Sequence, residues 1–189
     1  HHEDHTGNVG YLMQTLQADA YAHPICVKIL KRGYKMSPLS KMISGSVDKA
    51  LLHPISEGEQ IDTKNYTILP IYTPGHCDDH YCYYEKNKGW LFSGDLYVAD
   101  KIKYFVSNES VYTQIESIKK LLTLDFDSLF CAHNPKVENG KIRLNNKLQF
   151  FEDFVGKVEQ HYQQGKRSKE ILALMNMKEC TILRLGFLI

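Results

Sequence analysis

The chain opens on His1-His2-Glu3-Asp4-His5-Thr6-Gly7-Asn8, a segment that sets imidazoles and carboxylates side by side ahead of a helix start. Those are the donors that a borderline divalent cation takes. In an extended segment alternate side chains share a face, so the spacing puts His2 with Asp4 and turns His1 away from both. His5 follows where a turn at Gly7-Asn8 leads into a helix, which aims it at a second ion beside the first. A histidine-rich end is also what an expression tag looks like, but Asp4, Thr6, Gly7 and Asn8 are not tag residues. The distinction turns on whether distant segments supply matching ligands.

Three segments do. His76 closes Thr73-Pro74-Gly75-His76, Asp95 follows Gly94, and His133 ends Cys131-Ala132-His133. Each stands where a strand gives way to a turn. Tyr66 to Tyr72 is rich in β-branched and aromatic residues, Tyr81 to Tyr84 and Trp90 to Ser93 flank a polar hairpin loop, and Ser128 to Ala132 reads as a further strand. His2, Asp4, His5, His76, Asp95 and His133 together form a nitrogen and oxygen shell suited to two metal ions. Asp95 is the natural bridge, because one carboxylate can span two cations.

The remaining elements must carry these turns. Val9, Leu12, Met13 and Leu16 recur at helical spacing and predict a first helix with a buried stripe. Ala20 to Ala22 reads as a short strand with His23 at its end, and Pro24 opens the next helix. Gly33 to Asp48 has no clean period and reads as a connection. Glu59 to Ile61 is a predicted strand. Val111, Ile115, Ile118 and Leu122 mark a helix capped by Asn108 or Ser110. Leu144, Leu148, Phe151, Val155, Val158 and Tyr162 form one stripe that Gly165 closes, and Ser168 is the expected cap of a short helix through Met175. An apolar tail, Thr181 to Ile189, ends the chain.

Composition limits the function classes. With 189 residues, 43% hydrophobic and 24% charged, the chain suits one domain, expected as a metal-binding portion over 1–143 and a helical extension over 144–189. A net charge of +1 gives no field for steering polyanions, so nucleic acid is not an expected partner. No apolar run reaches the length of a membrane span. Five cysteines without a CxxC pair argue against a disulfide scaffold and for a reducing, cytoplasmic setting.

The motifs carry a resemblance. His2-x-Asp4-His5, the TPGH turn at His76, Gly94-Asp95 and the strand-end His133 occur in the order found in the metallo-β-lactamase superfamily, whose signature begins His-x-His-x-Asp-His. The resemblance covers His2 to His133 and implies an α/β fold, the αβ/βα sandwich. It assigns His2, His76 and Asp95 to one metal site and Asp4, His5, Asp95 and His133 to the other. The signature's first histidine would stand one residue before His1, and family members carry strands ahead of it. The chain is therefore expected to be N-terminally incomplete, with a weakened His2/His76/Asp95 site and a sheet edge that favours self-association.

For an intact relative the resemblance implies two divalent ions, zinc before iron or manganese, and hydrolysis by a metal-bound hydroxide. Asp4 is the expected proton shuttle. With an aspartate and no cysteine in the Gly-Asp turn, the chain resembles the glyoxalase II branch, which implies a small thioester, lactone or similar ester as substrate. The alternatives are a mononuclear iron persulfide dioxygenase and a catalytically impaired binding remnant. A diiron oxygen reductase fits poorly, since that pattern wants a glutamate where His2 stands. His80 is read as orienting the His76 turn, Cys77 as a free thiol, Cys131 as strand core, and His53 and His161 as surface residues. Tyr97 and Tyr104 follow Asp95 closely enough to line a pocket, with packing the competing role.

Overall fold

The computed structural model describes residues 1–34, 36–38, 41–42, 45–102 and 108–176. Tyr104, Cys180 and the apolar tail from Thr181 lie outside the described residues.

The chain begins with two short helices, α1 (Glu3–Thr6) and α2 (Val9–Leu16), then a two-residue strand β1 (Tyr21–Ala22) and helix α3 (Pro24–Arg32). His23 is the N-cap of α3, and its Nδ1 accepts a hydrogen bond from the Ile25 amide at 3.2 Å. Strand β2 (His53–Pro54) pairs in parallel with β1. The main sheet follows: β3 (Ile61–Asp62), β4 (Thr67–Tyr72), β5 (Tyr81–Glu85), β6 (Trp90–Gly94) and β7 (Ser128–Cys131), in that spatial order. Helix α4 (Val111–Leu122) connects β6 to β7, and α5 (Gly140–Gln163) and α6 (Ser168–Leu174) complete the described chain.

The pairing decides where functional side chains can gather. β3, β4, β5 and β6 pair antiparallel in sequence, whereas β6 and β7 pair in parallel. β4, β6 and β7 consequently run in one direction and end at one edge of the sheet. The turns after all three therefore meet.

Alternation along the strands sorts the sheet into two faces. Leu69, Ile71, Cys82, Tyr84, Leu91, Leu129 and Cys131 face α4 and α5, where Ile115, Ile118, Leu121, Leu144, Leu148 and Phe151 complete the larger core. The opposite face is aromatic, with Phe92 stacked on Phe130 at 5.1 Å and Trp90 edge-on to both. His23 stacks on Tyr72 at 5.3 Å and so ties the start of α3 to that face. A smaller core joins Ala22, Cys26, Leu30, Val47, Ala50 and Leu52, with Val9 and Met13 packed on it.

The structure corrects several details of the sequence reading. Leu12 and Leu16 are 47% and 66% exposed, because the small second core covers only the Val9 and Met13 side of α2. The strand expected over Glu59 to Ile61 is displaced to Ile61–Asp62. Ser168 is the first residue of α6 and Arg167 precedes it as the N-cap, its amide donating to Glu170 Oε2 at 2.8 Å. The long helix starts at Gly140, ahead of Leu144, and its Leu144, Leu148 and Phe151 belong to the larger core. Tyr162, expected on the same stripe, is 74% exposed near the helix end.

Candidate metal centre

The opening segment is not extended beyond His2. His2 itself has φ −62° and ψ 150°, but α1 begins at Glu3. The carbonyl of His2 accepts from the amides of His5 and Thr6 and from Thr6 Oγ1 at 3.1, 3.0 and 2.9 Å. Helical rotation replaces strand alternation from that point, so His2 and Asp4 do not share a face. They enter different groups.

In the first group the donor atoms of Asp4, His5, Asp95 and His133 all lie within 4.8 Å of one another; in the second, those of His2, His76 and Asp95 do. Asp95 is common to both. His5 Nε2 is 3.0 Å from Asp95 Oδ2, His76 Nε2 is 3.5 Å from the same oxygen, and His133 Nε2 is 3.1 Å from Oδ1. Asp4 Oδ2 stands at the outer rim, 3.6 Å from His5 Nε2 and 3.7 Å from His133 Nε2. The six residues expected from the sequence thus come together around one buried carboxylate.

Each turn is held by contacts that the sequence dictates. Gly75 has φ +129°, and a Cβ there would stand 2.6 Å from the Gln114 amide nitrogen, so only glycine lets the His76 turn lie against α4. Ser110 N donates to Gly75 O and Ser117 Oγ donates to Pro74 O, both at 2.8 Å, which fixes that turn to the helix. Ser110 also caps α4. His80 is buried, with Nδ1 2.9 Å from Thr73 Oγ1 and Nε2 against Gly94, so it braces the two turns that carry His76 and Asp95.

The electrostatics suit a cation. Burial alone would raise the Asp95 carboxyl, but the hydrogen bond from His5 and the charges of His5, His76 and His133 outweigh it and bring it down to about 2. Its Oδ1 is nonetheless buried without a hydrogen bond, although His133 Nε2 lies close. Burying a carboxylate oxygen with no donor is costly, and a metal ion is the partner that the surrounding donors would share with it. His2 Nδ1 and His76 Nε2 face each other at 3.2 Å, again two atoms that a cation could bridge. The donor set is all imidazole and carboxylate, which zinc, iron and manganese accept.

The other residues singled out from sequence fall outside these two groups. His1 turns its imidazole to Asp79, with Nδ1 2.7 Å from Oδ1, and its donor atoms gather with those of Cys77 and Asp79 away from Asp95. Cys77 is half-buried beside Asp79, and burial followed by that charge pushes its thiol up to about 12. Cys131 is buried in the larger core. Tyr97 is fully buried and its hydroxyl donates to Asp100 at 2.5 Å, so it packs and does not line a pocket. His53 is exposed and pairs with Asp19 at 3.4 Å. Among the described residues, sequence reasoning missed Glu109, whose Oε1 lies 2.5 Å from His76 Nδ1.

Comparison with known proteins agrees with this geometry. The sequence model of the Metallo-beta-lactamase superfamily matches residues 1–133. A hydroxyacylglutathione hydrolase of Legionella pneumophila is 31% identical over 143 residues, which cover 75% of this chain and 48% of that protein. The chain thus spans about half the length of this curated relative. Among solved structures, the BLEG-1 B3 metallo-beta-lactamase superposes with a TM-score of 0.60 at 23% identity, over 74% of this chain and 69% of that one. A protein solved in a di-iron-bound form, TTHA1623, superposes with a TM-score of 0.58 at 24% identity, over 74% and 69%. No described helix is long and apolar enough to cross a membrane. With a matching domain over most of its length, this α/β fold and its motifs in order, the chain belongs to the metallo-beta-lactamase superfamily.

Proposed function

We propose that this chain provides the metal centre of a hydrolase that cleaves a small thioester, lactone or related ester. The observation that carries the reading is the convergence of His5, His76 and His133 on Asp95, whose buried Oδ1 has no hydrogen bond. Asp4, His5, Asp95 and His133 would hold one divalent ion and His2, His76 and Asp95 the other. Bound there, divalent ions would bring the pKa of water to roughly 7 and polarise a carbonyl oxygen.

The chain's own residues divide the remaining work. Asp95 holds its charge between the two groups and sets their separation. Asp4 is the residue placed to handle a proton, since its side chain is partly open to solvent while Oδ2 borders both His5 and His133. The thioester assignment is supported by the relative named as a hydroxyacylglutathione hydrolase.

The test is metal analysis of the chain after loading with zinc, iron or manganese, followed by assay on a hydroxyacyl thioester and a lactone. Retention of a divalent ion, its loss in Asp95→Ala, and zinc-supported thioester cleavage that falls on replacing Asp4 with Asn are the expected results. Failure to retain any of the three metals would remove the reading. Iron retention with oxygen consumption on a persulfide would replace hydrolysis by dioxygenation.

A further inference from the structure

We propose that Glu109 is the positioning residue of His76: it accepts a hydrogen bond from Nδ1–H and so leaves Nε2 with its lone pair directed at Asp95 and His2. The inference rests on the metal-centre reading above and extends it to a residue outside both ligand groups. Glu109 Oε1 lies 2.5 Å from His76 Nδ1, while His76 Nε2 is 3.2 Å from His2 Nδ1 and 3.5 Å from Asp95 Oδ2. An imidazole whose one nitrogen donates to a carboxylate presents a lone pair at the other. The carboxylate therefore selects the tautomer that a metal needs.

Burial separates this pair from an ordinary surface ion pair. The side chains of His76 and Glu109 are 6% and 11% exposed, so their geometry is held by the interior and not loosened by solvent. Two further contacts fix Glu109. Gln114 Nε2 donates to Glu109 Oε2 at 3.4 Å, and the next residue, Ser110, donates its amide to Gly75 in the turn that carries His76. The segment bearing Glu109 is thus tied by hydrogen bonds to the turn bearing His76 and to α4. The position just ahead of α4 also favours a negative charge, because the helix presents unpaired amides there.

The test uses Glu109→Ala, Glu109→Gln and Glu109→Asp in the full chain, with two readouts. Zinc affinity is measured by competition against a chromophoric chelator. The His76 tautomer is measured by nitrogen-15 NMR of the chelated protein. Glu109→Ala should bind zinc about 10- to 100-fold more weakly and should lose the single Nδ1-protonated form of His76. Glu109→Asp should recover part of both. Glu109→Gln keeps a neutral acceptor and serves as the second variant if alanine unfolds the chain. Unchanged zinc affinity together with an unchanged His76 tautomer in a folded Glu109 variant would overturn the proposal, whatever the loss of thermal stability. If the wild-type chain binds no zinc, the metal reading fails and the tautomer measurement alone decides the role of Glu109.

Discussion

Gly94 lies against the imidazole of His80, so closely that a Cβ on Gly94 would stand 2.9 Å from Nε2. His80 cannot retreat, because it is buried and its other ring nitrogen is 2.9 Å from Thr73 Oγ1. Gly94 also has φ +49°, where a side chain is strained. Gly94→Ala should therefore cost about 2–4 kcal/mol from strain and overpacking together, and should displace the adjacent Asp95. Urea denaturation gives the first quantity and zinc affinity the second. A variant as stable as the wild type would show that His80 has room to move.

Gly156 supplies the opposite case on the same chain. It sits inside α5, and nothing lies within 4 Å of where its Cβ would be. Glycine in a helix interior costs backbone entropy that alanine does not. Gly156→Ala should raise stability by about 0.5–1 kcal/mol, measured by the same denaturation with activity unchanged. A loss instead would mean that this face of α5 packs against something.

The contrast between these glycines shows what could be read in the sequence. The Thr73-Pro74-Gly75-His76 and Gly94-Asp95 turns are legible because their types and spacing announce a chain reversal at the end of an apolar run. The sheet then gathers them, since β4, β6 and β7 run the same way and end at one edge. The opening segment was less legible. Eight residues are too few to show a period, so the helix at Glu3 was hidden and the partition of His2 from Asp4 with it. Glu109 left no signal, being a single carboxylate 33 positions from the histidine it meets. Leu12 and Leu16 had the right spacing for burial but no core large enough to cover them.

Tyr97 and Asp100 form the clasp behind the Asp95 turn. The Tyr97 hydroxyl donates to Asp100 Oδ1 at 2.5 Å, and Oδ2 accepts from Arg143 at 3.1 Å and Asn146 at 3.0 Å, both on α5. Tyr97→Phe removes one donor and leaves Asp100 two, so it should cost about 1 kcal/mol. Asp100→Ala removes the acceptor of all three and should cost more, about 1–3 kcal/mol. Paired chemical melts of the two variants test the order. Equal losses would show that Arg143 and Asn146 contribute nothing through Asp100.

Lys147 predicts how stability depends on pH. It projects from α5 into the larger core, only 2% exposed, with Nζ 4.9 Å from the centre of the Phe151 ring. Burial lowers its ammonium to about 8, against the opposing pull of Glu109, Asp95 and Cys131. In the unfolded chain the ordinary value is 10.5. Below pH 8 both states carry the proton and the native state bears the whole cost of the buried charge. Between pH 8 and 10.5 the unfolded state holds a proton that the native state has released, so this lysine makes stability rise with pH, by about 3 kcal/mol across the window. Lys147→Met keeps the volume without the charge. It should be about 1–3 kcal/mol more stable than the wild type at pH 7, with the difference shrinking as pH passes 8. Urea titrations of both proteins from pH 7 to 10 in chelator isolate the effect. Parallel stability curves would mean that Lys147 is protonated in the native state throughout, with its charge met in place by Glu109.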